Sequence, residues 1–290
     1  MAGPDGQSSE TTREESRTCK SCGAEFAVQL VTRNLLGRTM TFGDRQECGP
    51  CRSAREEQEA REAEAQARLA RLAVREDFRR RSGLPRKYWQ ETFARWEERG
   101  WPRNKGYLQV LRWAEEFPDN PAGYRTVILH SRLPGVGKTT LAACAINTLI
   151  ERWNGDPEHA VLPVRYETGP SLNIRLRSTY GIRPDEAPWR ETEAELYRNL
   201  RGVKLLVLDD VGDPDKEPAT DHTRRMYFHV IDQRYGDGLP VFLVTNSQGK
   251  ELEQVMGRYT VDRLYEMAGG KTFTLPGKTR KQRFEEVAGE

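Results

Sequence analysis

The chain has 290 residues, of which 31% are charged and 36% hydrophobic, and its 46 basic residues nearly balance its 44 acidic ones. This length allows one sizeable α/β domain and a smaller accessory unit. The sequence contains no run of about 18 apolar residues that could span a bilayer, and its first residues lack the apolar core of a signal peptide. We therefore expect a cytoplasmic protein without a membrane segment.

The N-terminal fifth of the chain divides into a tail and a small module. Residues 1–17 are polar and almost without apolar anchors, so we predict a disordered tail. Two alternating segments follow, EFAVQLV and TMTF, with the turn NLLGR between them and a CxxC pair on each side. This order predicts a β-hairpin module over residues 18–52.

Four of the five cysteines lie in the two CxxC pairs, whereas Cys144 stands alone. Paired cysteines in a reducing compartment indicate metal or redox chemistry rather than structural disulfides. A redox CxxC would sit at a helix start in a larger domain, which we predict for neither pair. We therefore expect structural zinc, because four thiolates leave no coordination position open and so small a hairpin needs a metal to fold. The ligands would be Cys19, Cys22, Cys48 and Cys51.

Residues 53–82 predict a charged linker helix, because strong helix formers carry opposite charges four residues apart and few apolar groups. Such a helix is either a solvated spacer or a surface that docks on a partner. Gly83 and Pro85 then open an aromatic stretch, SGLPRKYWQETFARWEERGW, that we expect to pack on the following domain.

The largest predicted domain covers residues 83–290. Five short apolar segments, TVILH, VRYET, VKLLVLDD, PVFLVTN and KTFTL, alternate with helical ones. This alternation predicts an α/β fold in which a five-stranded parallel sheet is flanked by helices. The helices are predicted to begin near Lys138, Pro170, Pro188, Ala219 and Lys250.

LPGVGKTT, residues 133–140, follows one predicted strand and opens a helix, which is the context of a P-loop. Its glycines let successive N–H groups face a phosphate beside the positive end of the helix dipole. Lys138 would reach the β and γ phosphates of ATP, and the Thr139 hydroxyl would bind Mg²⁺. The predicted nucleotide-binding residues are Pro134, Gly135, Val136, Gly137, Lys138, Thr139, Thr140 and Asp209.

One residue departs from the full P-loop pattern. Arg132 occupies the place of the first glycine. Its side chain could narrow the loop or add a cation near the phosphates, so it raises the alternative of a nucleotide-binding adaptor with little hydrolysis.

Two polar sites follow predicted strands. Asp209 and Asp210 end VKLLVLDD, where carboxylates would lie beside a P-loop. We expect Asp209 to hold Mg²⁺, directly or through water, and Asp210 to act as general base on the attacking water. Asn246, at the end of PVFLVTN, could position that water. The alternatives are that the aspartates cap a strand and that the asparagine forms a turn.

Several motifs occur in this order along the chain: the cysteine pairs, SGLPRKYWQETFARWE, PGVGKTTLA, LLVLDDVGD, IDQRYGDGLPVFLVTN and GRYTVDRL. Together they resemble the motifs of the bacterial DnaC/DnaI-like replicative helicase loaders, which are related to the IstB transposition helpers. The resemblance covers roughly residues 19–280. It implies an AAA+ core that self-associates into a ring or spiral, with ATP bound between subunits.

The resemblance also assigns roles to basic residues. Arg263 matches the position of an arginine finger that a neighbouring subunit receives, with Arg258 as a nearby alternative; Arg263 could instead form an ordinary salt bridge. A basic segment after the second strand matches the region that holds single-stranded DNA in the loaders, although it could be a solvated helix face. Its candidate DNA-binding residues are Arg175, Arg177, Tyr180 and Arg183.

The sequence thus predicts an ATPase with ATP, Mg²⁺ and Zn²⁺ that loads a replicative DNA helicase onto single-stranded DNA. By resemblance, the zinc module would contact the helicase, the DNA, or both. An IstB-like helper that acts with a transposase is the alternative, against which the zinc module argues.

Overall fold

The computed structural model describes residues 10–35, 38–43, 45–180, 189–213, 216–217, 219–279 and 282. By internal contacts the chain divides into two units, Met1–Ala70 and Arg71–Glu290. In the described part of the chain, no helix is both long and apolar enough to cross a bilayer.

Unit 1 contains a three-stranded antiparallel sheet of β1 (Glu10–Thr18), β2 (Glu25–Leu35) and β3 (Arg38–Phe42), in that order. The predicted β2–β3 hairpin is present. Val28 and Leu30 are each 2% exposed and share one face of β2. The sheet therefore has a very small apolar core.

The prediction of a disordered tail over residues 1–17 is wrong from Glu10 onward, because β1 pairs with β2 from Glu10↔Arg33 to Thr18↔Glu25. The sequence ETTREESRT has no apolar side chain to signal a strand. Backbone hydrogen bonds along the edge of β2 form this strand while its side chains face mainly water. Residues 1–9 lie outside the described residues.

Helix α1 (Gly49–Arg81) follows the sheet and spans the division between the units. It begins a little before the predicted linker helix and ends near the predicted position. Phe78 is its one buried residue among those described, and its ring meets that of Trp153 edge to face at 5.2 Å. The rest of the helix is largely solvated, as its composition predicts.

Unit 2 has five parallel strands: β4 (Val127–His130), β5 (Val164–Thr168), β6 (Leu205–Val211), β7 (Val241–Thr245) and β8 (Phe273–Thr274). Their order is β5-β6-β7-β4-β8. One strand, β7, thus separates β4, which precedes LPGVGKTT, from β6, which carries Asp209 and Asp210. The predicted α/β fold with a five-stranded parallel sheet is confirmed.

Helices cover both faces of this sheet, and each face has its own buried apolar cluster. One face carries α2 (Phe93–Glu98), α3 (Lys105–Glu115) and α4 (Lys138–Arg152). The other carries α5 (Gly169–Ser178), α6 (Glu193–Arg201), α7 (Asp221–Gly236), α8 (Lys250–Met256) and α9 (Arg258–Met267). Two short 3₁₀ turns, Arg86–Tyr88 and Pro157–His159, complete the described elements.

The aromatic stretch before the sheet packs on this domain as predicted. Trp96 is 1% exposed, and its ring contacts those of Trp101 and Tyr107. The Asn147 side chain on α4 donates hydrogen bonds of 2.8 Å to the carbonyls of Tyr88 and Glu91. The stretch is therefore fixed against the helix that follows the P-loop.

Candidate functional site

The P-loop lies between β4 and α4, in the strand–loop–helix context that the sequence indicates. Gly135 and Gly137 have φ values of 72° and 104°, which residues with a Cβ rarely adopt. At Gly137 an added Cβ would come within 2.8 Å of the Trp96 ring. Backbone conformation and packing both require glycine there, at a helix N-terminus that favours an anion. Arg132 is exposed to solvent.

Lys138 begins α4 and is 8% exposed. Its ammonium group donates hydrogen bonds of 3.1 Å to the carbonyls of Ser131 and Leu133. Burial lowers the pKa of Lys138 to about 8, although the charges of Asp209 and Asp210 oppose this shift. A buried cation bound mainly by neutral carbonyls is suited to gain an anionic ligand.

Asp209 lies on β6 and is 3% exposed. Its carboxylate accepts hydrogen bonds from the Tyr166 hydroxyl at 2.7 Å and from the Asp210 backbone N–H at 2.8 Å, and the nearby Thr139 hydroxyl acts to lower its pKa. Burial raises the pKa of Asp209. The structure thus brings Thr139 and Asp209 together, and their hard oxygen atoms fit Mg²⁺.

Asp210 adopts a φ of 53°, in the left-handed region that non-glycine residues seldom occupy. Its two carboxylate oxygens each lie 2.9 Å from the Lys216 ammonium group. This pair is partly exposed, with 49% of the Lys216 side chain accessible. A half-exposed pair contributes at most about 1 kcal/mol, so little free energy is needed to open it.

Asn246 follows β7, which pairs directly with β4. Its side-chain oxygen is buried and has no hydrogen-bond partner among the described residues. A buried acceptor without a donor costs about 1–3 kcal/mol. A water molecule donating to this oxygen would remove that cost, which fits the predicted water-positioning role.

Three neighbours of the site were not predicted from sequence: Tyr166, Lys216 and Trp96. Tyr166 is 43 residues from Asp209 along the chain. Trp96 precedes the P-loop and was expected only to pack on the domain. Lys216 lies near Asp210 in sequence but in a segment without a recognisable motif. Pairing of parallel strands and tertiary packing bring these three residues to the site, and neither produces a local pattern in the sequence.

Arg263 does not pair with the adjacent Asp262. Its guanidinium group forms a salt bridge with Asp232 on α7 and lies 4.8 Å from the Phe228 ring centroid and 5.6 Å from that of Tyr235. Asp262 instead faces Arg258 at 3.8 Å, a pair in which the Arg258 side chain is 79% exposed. In a single chain Arg263 is therefore held against α7.

The four candidate DNA-binding residues differ in their surroundings. Arg175 is bound by the carboxylates of Glu167 and Glu191. Arg177 is exposed, and Tyr180 is 50% exposed with its hydroxyl 2.6 Å from Nδ1 of His222. Arg183 lies outside the described residues. Arg177 and Tyr180 are thus the accessible members.

The four paired cysteines converge in unit 1, where their sulfur atoms all lie within 4.8 Å of one another. The Cys22 and Cys48 sulfurs are 3.7 Å apart. Tetrahedral zinc with Zn–S bonds of about 2.3 Å places its sulfurs about 3.8 Å apart, so the cluster fits zinc. The backbone N–H of Cys48 donates to the Cys19 sulfur at 3.3 Å and lowers the pKa of Cys19 to about 6.

The expectation that neither CxxC pair sits at a helix start is wrong for the second pair, because Cys48 and Cys51 flank the beginning of α1 at Gly49. The helix forms here because the charged sequence that follows has high helix propensity. Convergence of all four sulfurs still indicates a metal site rather than a redox pair, since such a pair needs only two.

No protein-family model matches this chain. It is 25% identical over 156 residues to the replicative helicase loader DnaC of Escherichia coli K12, covering 54% of this chain and 55% of that protein. It is 24% identical over 184 residues to the replicative helicase loader DnaC of Buchnera aphidicola subsp. Schizaphis graminum, and the alignment covers 63% of this chain and 67% of that protein.

The chain spans about half the length of the first curated relatives that it matches. The chain is also similar to a crystal structure of DnaI. The two chains are 19% identical, the alignment covers 68% of this chain and 93% of the DnaI chain, and the TM-score is 0.49. The similarity to replicative helicase loaders that the motifs predict is confirmed by these sequence relatives.

Proposed function

We propose that this protein is an ATP-dependent loader of a replicative DNA helicase. The observation that carries the proposal is the P-loop itself, in which Gly135 and Gly137 have positive φ values and the buried ammonium group of Lys138 begins α4, with the buried carboxylate of Asp209 near Thr139. This arrangement provides a cation for phosphate oxygens and two oxygen ligands for a metal. Because the sequence relatives are named replicative helicase loaders, we propose a replicative helicase as the binding partner.

In the proposed reaction, the P-loop backbone and Lys138 hold the β and γ phosphates, and Thr139 and Asp209 would hold Mg²⁺. Bound magnesium would neutralise charge that develops on the transferred phosphate. Asp210 draws a proton from the attacking water, which Asn246 orients. Arg263 from a neighbouring subunit completes the site, so ATP hydrolysis depends on self-association into a ring or spiral.

The helicase proposal is tested by capturing the host's replicative helicase on the immobilised full-length protein, with and without ATP. We expect capture that changes with ATP in the wild type and does not change with ATP in Lys138→Ala. Capture of a transposase in place of the helicase would instead support the IstB-like alternative.

Single-stranded DNA is proposed to bind α5 and the turn after it through Arg177 and Tyr180. Arg177 offers a solvent-accessible positive charge, and the Tyr180 ring offers a face for base stacking. Arg175 contributes less, because two carboxylates already neutralise it.

We further propose that Cys19, Cys22, Cys48 and Cys51 bind one structural Zn²⁺. Elemental analysis is expected to find one zinc per chain, and Cys51→Ser should lower the zinc content and make β1–β3 sensitive to protease. Cys144→Ser is the matched control, since Cys144 is buried in unit 2. A metal-free protein whose first 70 residues resist protease would contradict the proposal.

A further inference from the structure

A groove lined by arginines lies at the end of the sheet opposite the P-loop. It is formed by the last turn of α1, the segment 160–162 before β5, the start of β5 and the C-terminal end of α6, and its volume is about 720 Å³. Parallel strands place residues before β5 and β6 at one end and the P-loop at the other. The groove is therefore separate from the nucleotide site and from α5, which follows the other end of β5.

The charge of this groove has one sign. Arg80, Arg81, Arg165 and Arg198 line it, and no acidic residue does so among the described residues. Arg81 pairs with Asp77 and Arg165 with Glu167. Neither Arg80 nor Arg198 forms a salt bridge with a described residue, although the charge of Arg198 helps to lower the pKa of Glu195 on the same helix.

Helix ends do not account for all of this charge. The C-terminal ends of α1 and α6 each carry about half a negative charge, which favours nearby arginines. The two helix ends and the carboxylates of Asp77 and Glu167 together offset about three of the four positive charges of the lining arginines. The two unpaired guanidinium groups are also exposed to solvent, where they remain free to bind a ligand.

We propose that this groove binds the phosphate backbone of single-stranded DNA, as a second contact separate from α5. Arginine presents planar paired donors that match phosphate oxygens. Among the residues that the structure describes, no aromatic ring lines the groove, so bases would not stack there and binding would not depend on sequence. The inference goes beyond the proposed function, because the groove needs neither ATP nor the Arg177 and Tyr180 site.

The test measures anisotropy of a labelled oligothymidine of about 20 nucleotides, longer than the usual single-strand site size. The double variant Arg80→Ala/Arg198→Ala is compared with Arg61→Ala/Arg112→Ala, which removes the same charge from other exposed helix positions. We expect at least about tenfold weaker binding for the groove variant at low salt. For this variant, the slope of log affinity against log salt concentration should be smaller in magnitude by about 1.4, since each lost phosphate contact removes about 0.7 from the slope. The control should match the wild type.

Two further arms separate the possible outcomes. The double variant Arg177→Ala/Tyr180→Ala tests the proposed site on α5. If only this variant loses DNA binding, the groove inference is wrong and the α5 proposal stands. If only the groove variant loses DNA binding, the α5 proposal is wrong and the groove inference stands. Inorganic tripolyphosphate is the competitor. If it displaces the oligonucleotide from wild type and groove variant with equal potency, the groove does not contact the DNA.

Discussion

Asp210→Asn is expected to lower ATP turnover by at least about 100-fold while leaving ATP binding intact, because removal of a general base costs about 10²–10⁴ in rate. The amide has nearly the same shape as the carboxylate but cannot accept a proton from water. The fold should be unaffected, since the half-exposed ion pair with Lys216 contributes at most about 1 kcal/mol. Phosphate release measures turnover, and titration with a fluorescent ATP analogue measures binding.

The control for this experiment is Lys138→Ala. It removes the buried ammonium group that is proposed to bind the phosphates and should therefore abolish binding of the analogue. An Asp210→Asn protein that turns over ATP at the wild-type rate would exclude Asp210 as the base, whereas normal binding by Lys138→Ala would remove the P-loop assignment itself.

The second large effect is expected for Arg263. An arginine that reaches the γ phosphate from a neighbouring subunit contributes roughly 10³-fold or more in rate, so Arg263→Ala should be nearly inactive. Mixing it with Lys138→Ala should restore part of the activity. In the mixture, some sites have an intact P-loop from one subunit and an intact arginine from the other.

Asp232→Asn provides the matched control, because Asp232 is the carboxylate that pairs with Arg263 within one chain. If Arg263 only fastens α9 to α7, loss of either partner should reduce activity to the same extent. If Arg263 acts on the neighbouring subunit's ATP, Asp232→Asn should retain most of its activity. Failure of the two inactive variants to complement each other would also argue against the role in trans.

Much of the fold could be predicted because the relevant signals are local. The strand VKLLVLDD is continuously apolar since it is buried on both faces, and LPGVGKTT combines the glycines and the lysine that one turn requires. The spacing of the cysteine pairs similarly predicts the cluster. In the first two cases a few adjacent residues carry the whole pattern, whereas the two cysteine pairs are separated by 25 residues and are recognised because each has the same CxxC spacing.

The features that were missed are set by contacts between distant segments. Strand β1 has no apolar alternation, since backbone pairing with β2 forms it. Tyr166 contacts Asp209 because β5 pairs with β6, and the Trp96 ring lies against Gly137 because the aromatic stretch packs on the domain. The salt bridge between Arg263 and Asp232 likewise depends on how α9 packs on α7, which no sequence period encodes.

The carboxylate proposed to activate water, that of Asp210, is engaged by the ammonium group of Lys216 from the same chain. The next residue, Glu217, is fully buried and accepts a hydrogen bond from Tyr227 on α7, so the segment carrying Lys216 is anchored at its side. Because a half-exposed pair contributes at most about 1 kcal/mol, Lys216 lowers the population of free Asp210 carboxylate by a factor of about five at most, and the pair by itself does not prevent Asp210 from accepting a proton.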